Sequence, residues 1–209
     1  LGILMSVPGQ TMGVSVFTDS LLSALGLTRD QLSTAYMLGT LGSAALLPWA
    51  GRVYDRLGSR ISAAIASFCL ASVLVLLSAS EFLSRGLAAV SGLGTASAAF
   101  FVVFFGFFAL RLWGQGVLTL ASHNMIAKWF DRRRGLACGL SGVFVALGFS
   151  SAPLVLDIGI RHLGWRGAWL AMAAVLGAFI LPLVPAFFRD NPEACGLAPD
   201  GEKGAAQAP

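Results

Sequence analysis

Gly51-Arg52-Val53-Tyr54-Asp55-Arg56-Leu57-Gly58-Ser59-Arg60 is a short charged passage between two runs that carry no charge, 31–50 and 61–80. Each run matches the ~20 residues an α-helix needs to cross ~30 Å of hydrocarbon. The passage therefore reads as a tight loop between two membrane-crossing helices. Outward from it the pattern repeats. Residues 1–18, 135–156 and 167–188 carry no Lys, Arg or Glu, and 86–127 carries Arg111 alone. None of these runs alternates apolar and polar with period 2, so strands of a membrane barrel are excluded. Pro8, Pro48, Pro153, Pro182 and Pro185 lie inside them and predict kinks or breaks.

Composition agrees. Of 209 residues, 56% are apolar and 11% charged. A soluble domain is about 45–50% apolar and about 25% charged. This excludes a soluble enzyme and a nucleic-acid-binding domain. The net charge of +4 comes from 14 Lys/Arg against 10 Asp/Glu, so its placement matters more than its size. Cys69, Cys138 and Cys195 are too far apart for a disulfide scaffold or a CxxC metal site. No metal or organic cofactor is called for.

Region 86–127 is too long for one helix and barely enough for two. The positive-inside rule decides. With six spans and a cytoplasmic start, the inner segments hold Arg52, Arg56, Arg60, Lys128, Arg132, Arg133, Arg134, Arg189 and Lys203. The outer segments hold only Arg29, Arg85, Arg161 and Arg166. Splitting the region would place the Lys128–Arg134 cluster outside. The expected spans are 1–25, 31–50, 61–80, 98–127, 135–156 and 167–188, with 86–97 facing outward or half-inserted. Trp49 and Trp129 then fall at inner ends, and Trp165 and Trp169 at outer ends, as an aromatic belt requires. Residues 189–209 read as the start of a cytoplasmic linker. With no initiator Met and no basic leader, the chain reads as the front half of a longer protein.

The loop pattern G-x-x-x-D-R-x-G-x-R resembles the signature loop of the major facilitator superfamily. Lys128-Trp129-Phe130-Asp131-Arg132-Arg133-Arg134-Gly135 resembles that family's second basic loop. Asn191-Pro192-Glu193, Gly196-Leu197 and Pro199-Asp200-Gly201 resemble the start of its central loop, as in monocarboxylate and oxalate/formate carriers. The resemblance implies an all-α membrane protein: a six-helix bundle of two inverted three-helix repeats, the amino-terminal half of a transporter whose carboxy-terminal half is a partner. It implies that Asp55 faces a helix N-terminus in that partner half and pairs with nearby arginines. Arg56 and Arg60 complete the latch, and Gly51 and Gly58 permit the turn. A carboxylate at a helix N-terminus gains only ~0.3–1 kcal/mol, a bias weak enough to be broken in each cycle.

Arg111 is the second informative residue. A charge inside a span costs at least ~2.5–3.5 kcal/mol unless it meets a cavity or a partner. Gln115, Thr119 and Ser122 follow at helical spacing and predict one polar stripe. The family's fourth span carries an arginine motif that Arg111, Gln115 and Gly116 match, which implies proton coupling or binding of an anionic substrate. The alternative is a side chain that snorkels to the outer surface. In the first run, Thr11, Ser15 and Asp19 share a face and line the same path. Asp19 is either a proton site and partner of Arg111 or a solvated outer-end carboxylate. Gln10, beside Pro8-Gly9, marks a local break. His123 reads as packed, and Asp157 and His162 as solvated.

Gly135, Gly139 and Gly142 form a small-residue face that predicts close helix packing. Gly148-Phe149-Ser150-Ser151-Ala152-Pro153 matches the family's antiporter motif only in part, so antiport is not supported. Gly139-Leu140-Ser141-Gly142 is also the nucleophile pattern of intramembrane proteases, but its only later histidine, His162, lies at the opposite end of the helix. A channel or structural protein would not explain Asp55 within its arginines. The reading is a multi-pass secondary transporter with a cytoplasmic N-terminus, in a bacterial inner membrane. Its partners are a small solute, a coupling ion or counter-solute, and lipid, with no nucleic acid. The solute is expected to be an organic anion such as a monocarboxylate. The alternative is a drug or neutral metabolite.

Overall fold

Prolines, caps and left-handed glycines divide the apolar runs. Pro8 lies in a 3-10 segment, Leu4–Gly9, and the backbone turns extended at Gln10. Helix then resumes as α1, Thr11–Ser15, and α2, Thr18–Leu25. Gly26, at φ 64°, closes α2 by donating its N–H to the Leu22 carbonyl. The expected first span is therefore three short pieces, not one rod. Thr28 opens α3, Arg29–Ser78, with a capping box. Its hydroxyl accepts from the Gln31 N–H at 3.2 Å, and the Gln31 side chain accepts from the Thr28 N–H at 3.0 Å.

The structure, a computed structural model, describes residues 2–192, 196, 197 and 200. Helix α3 is two arms that meet at Gly58, where φ is 78° and ψ 175°. Residues 86–97 are helical up to Ser91 and again from Thr95. Helix α4, Ser80–Ser91, ends on left-handed Gly92, and α5, Thr95–Leu110, follows almost at once. A π-helical segment, Arg111–Leu118, joins α5 to α6, Thr119–Trp129, in one continuous helix. Helix α7, Arg134–Ala174, bends at Gly164, with φ 72° and ψ 164°. It runs through a second π segment, Val175–Ile180, into α8, Leu181–Phe187.

By length and apolar composition, three continuous helices suffice to cross a membrane: Arg29–Ser78, Thr95–Trp129 and Arg134–Val184. The first and last each contain the non-helical glycine that makes two arms of one helix. All regular elements among the described residues are helical.

The core runs between α2, α3, α5 and α7. Phe17 stacks on Trp169 at 4.0 Å, and Leu21, Leu70, Leu74, Phe107, Leu110 and Leu118 are buried around them. Lipid removes the hydrophobic drive between helices, so close van der Waals packing must supply the association. Two crossings are tight enough to need glycine. A Cβ on Gly9 would meet the Gly114 Cα at 2.8 Å, and one on Gly39 the Phe108 nitrogen at 2.9 Å. The small face of α7 does not pack: a Cβ at Gly135, Gly139 or Gly142 would meet nothing within 4 Å. That expectation fails within this chain. The same arm exposes Leu136, Leu140, Val143, Phe144 and Leu147. This apolar ridge must face lipid or a partner.

Candidate functional site

Arg111 stands where α5 becomes π-helical. Its Nη1 lies 3.4 Å from the Gly9 carbonyl and 3.5 Å from the Thr11 hydroxyl. Its guanidinium lies 5.3 Å from the centre of the Tyr36 ring. Tyr36 in turn donates a 2.9 Å hydrogen bond to Thr11 and meets Phe107 edge-on. The broken first segment is what makes this possible, because the Gln10 break leaves the Gly9 carbonyl outside a regular helical ladder. Beside these groups, Thr11, Ser15, Thr18, Ser33 and Tyr36 line a cavity of about 190 Å³. Arg111 meets no carboxylate among the described residues; its neighbours are a carbonyl, a hydroxyl and a ring.

Other expected members of this site bond to other groups or face away, although Ser15 still lines the cavity. Asp19 pairs with Arg29 at 3.0 Å, with both side chains largely in solvent, and not with Arg111. Gln115 is exposed. Thr119 donates to the Gly114 carbonyl at 3.2 Å, five residues back. Ser122 is buried, bonded to the Leu118 carbonyl at 2.8 Å. The stripe predicted from Arg111 to Ser122 is broken because the intervening turn is π-helical and carries an extra residue. Ser15 turns back on the Met12 carbonyl at 3.0 Å. Tyr36 was missed by the sequence reading. It carries no charge, and only the fold brings it to Arg111.

The loop around Gly58 is a second built region. The Tyr54 hydroxyl shares a 2.6 Å hydrogen bond with Ser59 across the turn. The Lys128 ammonium sits 5.7 Å from the Tyr54 ring centre. Asp190 accepts from the Arg60 N–H at 3.1 Å. A Cβ at Gly58 would lie 2.6 Å from the Asp190 Oδ1, so glycine is required both by φ and by this contact. Gly51 is helical with open space about it, so it makes no turn. Asp55 and Arg56 are exposed and make no ion pair among the described residues. The acid that engages this loop is Asp190, not Asp55.

The loop before α7 is capped in the same manner. The Asp200 carboxylate accepts from the backbone N–H groups of Asp131, Arg132 and Arg133 at 3.2, 2.8 and 3.2 Å. Desolvation raises its pKa, but the three donors and the Arg133 charge outweigh it and hold the carboxyl below its usual value. Trp129 Nε1 donates to the Arg189 carbonyl at 3.1 Å. Ser141 and His162 lie on one arm of α7, roughly 30 Å apart at helical rise, so no serine–histidine dyad forms.

Comparison with known proteins adds a family. The family described as Major Facilitator Superfamily matches residues 1–207. Monocarboxylate transporter 14 of Mus musculus is 32% identical over 87 residues, which cover 39% of this chain and 17% of that protein. No solved structure matches the chain significantly.

Proposed function

The chain belongs to the Major Facilitator Superfamily, and from that premise we propose that it is half of a secondary transporter of small organic anions. Membership makes it an integral membrane transport protein. The finer reading is six spans: residues 1–25, the two arms of α3, the continuous helix Thr95–Trp129, and the two arms that meet at Gly164. The N-terminus lies on the cytoplasmic side, and a second six-helix half closes the path.

The observation that carries the substrate class is Arg111. Its guanidinium is half-buried beside the cavity that Thr11 and Tyr36 line, and no acid among the described residues neutralises it. A charge kept there at a cost of ~2.5–3.5 kcal/mol is compensated when an anion arrives. A carboxylate fits, since the planar guanidinium binds it with two parallel donors. Thr11 and Tyr36 stand ready as hydroxyl partners. Transport proceeds by alternating access, with the anion's own charge tipping the balance between states. The partial likeness to a protein named for monocarboxylate transport supports the same class.

The test is uptake of radiolabelled lactate by the full-length protein in proteoliposomes. Arg111→Lys should reduce uptake, because an ammonium cannot reproduce the two-pronged contact. Wild-type uptake by both Arg111→Lys and Arg111→Gln would remove the anion reading. The neutral-solute alternative would then stand.

A further inference from the structure

The turns at Gly58 and Gly164 are each tied by an acid from the other end of the fold. Asp190 lies three residues past the end of α8 and accepts from the N–H of Arg60, two residues past Gly58. Glu81 lies three residues past the end of α3 and receives the guanidinium of Arg166, two residues past Gly164. Arg85 approaches the other oxygen of Glu81, and Arg166 also covers the Trp165 ring at 5.0 Å. One rule therefore describes both ties. An acid just beyond a third-position helix reaches the second residue after the glycine of the opposite unit.

The ties stand at opposite ends of one arm. Arg60 opens the second arm of α3 and Glu81 follows its close, roughly 30 Å away at helical rise. Both are closed in the same conformation. Gates that alternate during a cycle exclude one another, because closing one is coupled to opening the other. We propose that Glu81 and Asp190 are crossed positioning acids, static bolts that hold the two three-helix units in fixed register at both ends. The mobile surfaces then lie outside this bundle, against its partner. The assignment of the two ends to opposite membrane faces rests on the six-span reading; the ties themselves do not.

Hydrogen exchange on the detergent-solubilised full-length protein tests this, with peptides covering 58–62 and 164–168. Asp190→Ala should speed exchange at 58–62 about tenfold and leave 164–168 unchanged. Glu81→Ala should do the reverse. A Glu81→Ala/Arg166→Ala double variant should open 164–168 no further than either single change, since all three remove one tie. If Asp190→Ala fails to insert, Asp190→Asn retains an acceptor oxygen and should give an intermediate rise at 58–62. Coupled changes, in which loss of one tie tightens the opposite turn, would identify alternating gates and overturn the proposal. So would no change at either turn, or an even rise along the whole chain. Cysteine labelling at the exposed positions 56 and 162 in intact cells checks the faces separately. If both label from one side, the six-span reading falls while the exchange result stands.

Discussion

Leu57-Gly58-Ser59-Arg60 and Leu163-Gly164-Trp165-Arg166 share the pattern L-G-x-R and the same backbone, with φ 78° and ψ 175° in one and φ 72° and ψ 164° in the other. Their surroundings differ. The Gly58 turn is packed, with Asp190 against the glycine and the Tyr54–Ser59 bond spanning it. The Gly164 turn is open, with nothing within 4 Å of an added Cβ, and the Arg166 side chain ties it to Glu81. One local sequence thus makes two turns of equal shape and unequal load. Shape follows from glycine and its neighbours. Load follows from what the rest of the fold brings within reach.

The sharpest way to break this comparison is alanine at both glycines. Positive φ with ψ near 180° is backbone essentially confined to glycine, and a side chain there costs about 1–3 kcal/mol. Gly164→Ala should lose that much in thermal unfolding in detergent. Gly58→Ala should lose more, because its new Cβ also expels Asp190 and forfeits a bond of about 0.5–1.5 kcal/mol. Equal losses would mean that the packing of Gly58 carries no weight. Next in size is Tyr54→Phe, which leaves the buried Ser59 hydroxyl without its partner and should cost about 1–3 kcal/mol. Among the described residues Trp165 makes no such hydrogen bond across its turn, so Trp165→Phe should cost less in the same melt.

A smaller effect tests Asp200. Its folded pKa lies below the unfolded value. Its tie is therefore fully present above the ordinary carboxylate range and is lost as pH falls through the lowered folded value. Protease nicking at Arg132–Arg134 should stay slow down to pH 5 and rise only in stronger acid, whereas Asp200→Ala should be nicked at every pH. The smallest stability effect is expected at Asp55. Asp55 is exposed and makes no ion pair among the described residues, so Asp55→Asn should shift unfolding by no more than about 0.5 kcal/mol. If it nonetheless slows lactate uptake by the full-length protein, its role lies against the partner half.

What the sequence made legible were features that depend on neighbours in the chain. Charge-free runs gave the helices. The loop glycine gave the bend at Gly58, and Pro8-Gly9 gave the break before Gln10. Contacts between distant segments were not legible. Nothing near Glu81 announces Arg166, and nothing near Asp190 announces Arg60, because each pair joins rim residues that only the folded bundle brings together. Shared depth allowed Asp19 to pair with Arg111, the other reading being a solvated outer-end carboxylate; the second fits, with Arg29 nearer along the chain as its partner. The stripe through Ser122 failed for another reason. It assumed 3.6 residues per turn across a stretch that does not keep that period.

That π segment also has a mechanical consequence. Its i→i+5 turn interrupts the regular ladder in the middle of the continuous helix Thr95–Trp129, and the Thr119 hydroxyl donates to the Gly114 carbonyl there. A rod is most compliant where its regular ladder is interrupted. The helix therefore has its soft joint midway, with Arg111 at one edge of that joint. A bend there would reorient the guanidinium while both helix ends stayed anchored, as a crank turns between two bearings.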